Sequence, residues 1–242
     1  MGAASAVFTS CADDDPVPPP LIEMVPVAGG SIILGVTEVT LSSFQIGKYE
    51  VTQKLWWSVM DKWLGDAPSP TYGAGDNYPM YNVSYTDIQL FLAKLNTLTG
   101  KNYRLPTEVE WEYAAKGGRR AEGHIYSGSD AIDDVAWYWG NIPSQDPQQA
   151  GHGTQPVGMK LPNALGIYDM TGNVWEWCND WYGPEYPSGT EDPTGAATAG
   201  SFRVFRGGSW YDNATYCRVS DRYYFPPGGR ISFTGFRLVL PL

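Results

Sequence analysis

Apolar residues recur at helical spacing in three places along the chain, and each place carries its own start signal. Leu55, Trp56, Val59 and Met60 form one stripe, with Thr52 placed to cap it. Ile88, Phe91, Leu92 and Leu95 form a second, opened by Ser84 with Asp87 three residues on and closed by Gly100. A third runs through Val109, Trp111, Tyr113 and Ala114, opened by Thr107 with Glu110 and stopped by Gly117 and Gly118. Before these helices the pattern is that of strands. Val25 and Val27, the turn at Gly29 and Gly30, and Ile32, Ile33 and Leu34 read as strand, turn and strand; Val39, Leu41, Phe44 and Ile46 predict one further strand of a meandering sheet. After Gly118 the chain is rich in turn residues, and only short strands are expected there.

Composition fits a loop-rich body pinned by aromatic side chains. The 242 residues suffice for one large domain, charged residues make up 17%, and Trp 10, Tyr 16, Gly 28 and Pro 19 are generous for the length. The formal net charge of -10, with no basic stripe, phosphate loop or zinc-type Cys/His spacing, argues against nucleic acid as a partner. His124 and His152 sit among Gly, Ser and Gln and support no Ser/His/Asp arrangement. Three cysteines, Cys11, Cys178 and Cys217, do not make a disulfide scaffold.

Cys11 stands apart from the other two. Ala6, Val7, Phe8, Thr9 and Ser10 precede it and Ala12, Asp13, Asp14 and Asp15 follow, a setting that resembles the lipid-attachment cysteine of Bacteroidetes lipoproteins. The resemblance implies an outer-membrane or cell-surface lipoprotein held to the membrane through a lipid on Cys11; the alternative is a flexible N-terminus with an incidental cysteine. Residues 1–20 then form a signal remnant and a stalk, extended by Pro16, Pro18, Pro19 and Pro20, and the domain occupies 21–242. No other stretch is apolar enough to cross a bilayer.

Asp169, Gly172, Val174 and Glu176 are candidate ligands for a structural calcium ion, since two carboxylates flank backbone carbonyls in a tight glycine turn. The alternative is that the two acids accept backbone N–H bonds within the turn. Arg104 with Glu108 or Glu112, and Arg206 or Arg237 with buried carboxylates, are expected as structural ion pairs.

Three motifs together resemble the formylglycine-generating enzyme, or sulfatase-modifying factor, family. They are Arg104-Leu105-Pro106-Thr107-Glu108; Gly172-Asn173-Val174-Trp175-Glu176-Trp177; and Arg206-Gly207-Gly208-Ser209-Trp210 with Cys217 and the closing Gly235-Phe236-Arg237-Leu238-Val239. The match runs from about Met24 to Leu240 and implies an α+β fold of the C-type-lectin kind, with short helices, small antiparallel sheets and many loops. It also implies calcium at the matching positions Asp169 to Glu176, and a pocket-lining Trp175. The enzyme binds copper(I) between two cysteines and oxidises a substrate cysteine to formylglycine. Here the second of those positions is Cys217 and the first is Asp212, a hard oxygen donor ill suited to copper(I). Copper is therefore not expected, and Cys217 would be catalytic only if the oxidase chemistry survived. Cys178 could substitute as a thiolate, pack as a small hydrophobe, or pair with Cys217.

The C-terminal part, about 203–242, has a second peculiarity. Tyr211 to Tyr216 and Tyr223 to Thr234 contain no Lys, Glu, Gln, Met or Trp, the side chains that changing only the adenines of an asparagine codon cannot reach. This resembles the variable proteins of diversity-generating retroelements. The resemblance implies an exposed contact surface of Tyr211, Asp212, Asn213, Thr215, Tyr216, Asp221, Tyr223, Tyr224, Phe225, Arg230, Ser232 and Phe233. Tyrosine supplies large amphipathic contact area at small rotamer cost, and Ser, Gly and Asn adapt their hydrogen bonds. The plain alternative is that the aromatics are core. The expected function is non-enzymatic recognition of a protein or glycan at the cell surface; a copper-dependent oxidase and a structural lipoprotein of a surface assembly are the alternatives.

Overall fold

The computed structural model describes residues 21–187, 189–195 and 200–242; Cys11, with the lipid and stalk expected around it, lies outside them. Four short strands open the domain: β1 (Met24–Val27), β2 (Gly30–Leu34), β3 (Thr37–Leu41) and β4 (Phe44–Gly47). They do not form a meander. β2 and β3 pair as a hairpin of their own, while β1 pairs with β4, which pairs in turn with β9 (Val239–Pro241). The run from Val39 to Ile46, expected as one strand, is thus two, broken at Ser42 and Ser43. Asp192 holds that break by accepting from the Ser42 N–H and hydroxyl, both at 2.7 Å. Such a long-range contact leaves no trace in local periodicity.

The helices follow their start signals. In α1 (Gln53–Met60) Thr52 accepts from the Leu55 N–H; α2 (Tyr85–Thr99) and α3 (Glu108–Ala115) each carry a complete reciprocal capping box, from Ser84 with Asp87 and Thr107 with Glu110. Gly100 ends α2 in the left-handed conformation. A four-residue helix, α4 (Ile132–Val135), is the last before a long irregular stretch. The second main sheet has the order β7-β6-β5-β8, from β5 (Trp175–Trp181), β6 (Arg203–Arg206), β7 (Arg222–Phe225) and β8 (Thr234–Gly235). β8 runs parallel to β5 and the other pairs are antiparallel.

Two apolar clusters fill the interior. One joins the first strands to α3 around Phe44, Ile46, Val109 and Trp111; the other joins α1 and α2 to the second sheet around Trp56, Phe91, Trp177, Phe205 and Phe236. Trp56 stacks on Phe91 at 5.2 Å, and Phe236 meets Phe91 edge-on at 5.4 Å, so the closing motif lies at the centre of the core.

Buried ion pairs lace the loops to this frame. Arg237, fully buried, clasps both Glu176 oxygens at 2.6 and 2.7 Å and donates to the carbonyls of Gly47 and Tyr168. Arg206, also fully buried, pairs with Glu112 and approaches Glu108 to 3.6 Å. Arg104 pairs with Glu110, at 2.6 and 2.7 Å, instead of Glu108 or Glu112. The phase of α3 turns Glu108 and Glu112 toward Arg206 and leaves Glu110 to Arg104.

Asp180, near the end of β5, accepts from the Glu108 N–H at 2.9 Å and from the Gly195 N–H. Burial, offset in part by these bonds, raises its carboxyl to about 6, and the negative charge of Glu108 adds to the rise. A raised acid favours the folded state below its unfolded value, about 3.9, and that contribution is lost as pH climbs through the folded value. Relative to Asp180→Asn, the natural chain should therefore gain on the order of 2 kcal/mol of stability between pH 7 and pH 4, read from denaturant unfolding at each pH.

Candidate functional site

The Arg206-Gly207-Gly208-Ser209-Trp210 motif reverses the chain after β6. Gly207 and Gly208 both take positive φ, 99° and 77°, and a Cβ on Gly208 would meet the Cys217 sulfur at 2.6 Å. The glycines thereby let the following 3-10 turn, Ala214–Cys217, press against the frame. Arg206 secures the far side by donating to the carbonyls of Val219 at 2.8 Å and Asp221 at 2.6 Å. From there the chain enters β7 at the edge of the second sheet.

Between the turn, β7 and the segment before β8 lies a groove of about 380 Å³ lined by Trp175, Phe205, Tyr211, Asp212, Tyr216, Tyr223, Phe225, Ile231 and Phe233. Its rings are ordered by mutual contact. Trp175 lies 5.7 Å from Tyr223, Tyr211 stacks on Phe233 at 5.4 Å, and Phe205 stacks on Phe225 at 5.8 Å. Tyr211, Tyr216 and Tyr223 remain 56%, 46% and 50% exposed, so these rings are presented to solvent rather than sealed in the core.

Six of the twelve expected contact residues line this groove: Tyr211, Asp212, Tyr216, Tyr223, Phe225 and Phe233. Tyr224 is exposed but packs on Tyr182 at 4.2 Å and Phe202 at 5.0 Å, extending the aromatic band beyond the groove. Asn213 caps the 3-10 turn by accepting from the Thr215 N–H, and both residues are exposed on its outer side. Arg230 is committed to Asp87, with two bonds of 2.7 Å, and the Ser232 carbonyl accepts from the Trp210 indole. Asp221, half-buried, gives its carbonyl to Arg206. Phe205 and Ile231 join the lining from outside the expected set; β6 pairing beside β7 brings Phe205 opposite Tyr223, a register that no local signal announces.

Asp212 sits half-buried among these rings. Its Oδ2 accepts from the Trp175 indole at 2.8 Å and from the Ser209 hydroxyl. Burial raises the Asp212 carboxyl above the usual range, against the pull of those two donors. Cys217 is fully buried behind the turn, and desolvation together with the Asp212 charge pushes its thiol well above the ordinary value. A single sealed thiol beside a hard oxygen donor is a poor fit for copper(I), which favours a pair of thiolates. Cys178 does not join it: both are free thiols, and Cys178 packs inside the core beside α3.

The expected calcium ligands are likewise partly committed. Both oxygens of Glu176 are taken by Arg237, and one also accepts from the Trp111 indole at 2.6 Å. Asp169 accepts from the Gly158 N–H at 2.7 Å, and burial raises it to about 6. Its acidic neighbour Glu50, raised well above the usual range by burial and by the charges of Asp169 and Glu176, accepts from Asn173 and the Val174 N–H. With Glu176 held by a guanidinium, the Asp169 and Glu176 carboxylates do not fit a shared cation in this arrangement.

A family model for the sulfatase-modifying factor enzyme 1-like domain matches residues 11–242. The chain belongs to this family. Among its members, this sulfatase-modifying-factor-like chain is 35% identical over 244 residues to the chaperone protein LppX of Paenibacillus barcinonensis, covering 83% of this chain and 81% of that protein. It is 38% identical over 171 residues to the formylglycine-generating enzyme of Streptomyces coelicolor, covering 66% of this chain and only 52%, about half, of the enzyme. Among solved structures, Treponema denticola variable protein 1 superposes with a TM-score of 0.76 at 31% identity, covering 90% of this chain and 95% of that one. An enzyme, a chaperone and a variable protein thus share the domain, and the α+β, C-type-lectin-like architecture is common to this chain and its structural neighbours.

Proposed function

We propose that this chain is a non-catalytic recognition protein that binds a protein or glycan ligand in the aromatic groove. The observation that carries the reading is the groove itself: exposed tyrosines from the variable segments stand around the position where the enzymes need their first thiol, and that position is Asp212. The likeness to a variable protein over nearly the whole of both chains supports it. Aromatic anchors in a pre-formed groove are the usual carriers of binding energy, and the rigid frame of Arg206 and the glycine turn limits the ordering cost of binding. The ligand would be met at the cell surface, with the lipid on Cys11 and the proline stalk carrying the domain outward; metabolic labelling with an alkynyl fatty acid, lost in Cys11→Ala, tests that part.

The functional test pairs two measurements. In a copper(I) titration the natural chain should behave like Cys217→Ala, and a sulfatase-type cysteine peptide incubated with copper and oxygen should keep its thiol. On glycan and protein arrays the chain should be retained by a defined ligand. Tyr211→Ala and Tyr223→Ala should then each weaken that retention about 30-fold, on the order of 2 kcal/mol, with unchanged thermal unfolding. Stoichiometric copper binding that needs Cys217, or an aldehyde product, would turn the reading to the oxidase.

A further inference from the structure

The charge arrangement of the groove narrows the kind of group it can hold, on the premise that the groove is the binding site. Of its nine lining residues, Asp212 alone is charged, and the remainder are aromatic side chains and Ile231. The basic residues of the variable segment and of β7 point elsewhere: Arg222 to Glu108 at 2.6 and 2.8 Å, and Arg230 to Asp87. Both side-chain donors to Asp212, the Trp175 indole and the Ser209 hydroxyl, use Oδ2. Oδ1 accepts from no side chain among the described residues, and the Ser209 backbone N–H is the remaining donor beside the carboxylate, whose residue lines the groove.

We propose that the groove seats the cationic side chain of an arginine or lysine from a partner protein, its charge against Asp212 Oδ1 and its stem between the rings of Trp175, Tyr211 and Tyr223. Faces of Trp and Tyr attract a cation through the ring quadrupole, and the attraction grows when water is excluded. A carboxylate whose side-chain donors both sit on one oxygen keeps acceptor capacity on the other for the charge-assisted hydrogen bond that aromatic rings lack. The layout also selects the source of the cation. The half-buried acid lies among exposed rings, so a long apolar stem ending in a charge matches it. The net charge of -10 draws basic partners toward the chain at long range.

The test uses small probes on the whole domain, reading the indole N–H signal of Trp175 by NMR. Acetyl-arginine methylamide and acetyl-lysine methylamide should shift it saturably. The neutral isostere acetyl-citrulline methylamide should bind at least about tenfold more weakly, and glucosamine no better than citrulline. Asp212→Asn, which keeps an acceptor for Trp175 and Ser209, should remove the preference for arginine over citrulline. Equal binding of arginine and citrulline overturns the proposal, as does stronger binding of glucosamine, an unchanged preference in Asp212→Asn, or no response to any probe. The citrulline comparison is made on the natural chain and so stands even if the variant folds poorly. Neutral or sugar probes that move the groove signals would sink the cation alone and leave the recognition function in place; copper binding through Cys217 would remove that function itself.

Discussion

Replacing Arg237 with methionine is expected to lower the unfolding free energy by about 3–5 kcal/mol, a large share of the roughly 5–15 kcal/mol that holds a domain folded. The guanidinium is fully buried and makes four hydrogen bonds: two to Glu176, one to the Gly47 carbonyl and one to the Tyr168 carbonyl. Its removal strands the Glu176 carboxylate in the interior with only the Trp111 indole as a side-chain donor, and it unties β4 from β5. The double change Arg237→Met with Glu176→Gln should recover part of the loss, because no uncompensated charge then remains buried. Urea unfolding of the two variants and the natural chain gives the comparison directly, provided the slope with denaturant is unchanged.

Arg206→Met is expected to cost a similar amount, about 3–5 kcal/mol, with a different signature. Arg206 neutralises Glu112 and holds the carbonyls of Val219 and Asp221, so it fixes the chain between the 3-10 turn and β7. Its loss should release the segment that carries Tyr216 and Tyr223 before the core melts. Amide exchange near Cys217 to Tyr224 should accelerate more than exchange in α2, where the capping box and the Phe91 contacts are untouched. Uniform acceleration across the domain would show that Arg206 acts on the core as a whole and has no special hold on the groove. The contrast with Tyr223→Ala, which should spare stability and weaken binding, separates the frame from the surface it carries.

The legibility of the chain divides along the range of the interactions concerned. Thr52, the Ser84 and Asp87 pair, the Thr107 and Glu110 pair and Gly100 each act within a helical turn or at its end, and each stands where the sequence placed it. The break between β3 and β4 was not legible, because Asp192 imposes it from 150 residues away. Arg104 found Glu110 rather than its neighbours because the rotation of α3 against the sheet, a packing outcome, aims the three acids. The groove shows the same division. The composition of Tyr211 to Tyr216 and Tyr223 to Thr234 suggested a set of contact residues, yet Arg230 and Ser232 are drawn into the frame, while Phe205 and Ile231 enter the lining.

Residue identities alone were enough for the family, the helix ends, the aromatic composition of the C-terminal segments and an acid at position 212. These are written in residue identity or in contacts only a few positions apart. It took packing in three dimensions to place Tyr211, Tyr216, Tyr223 and Phe233 around one groove, to seal Cys217 from solvent, and to bring both side-chain donors of Asp212 to the same oxygen. Each of those outcomes depends on strand register and on buried charges meeting across the whole fold, where many alternative pairings share the same local pattern and packing selects among them.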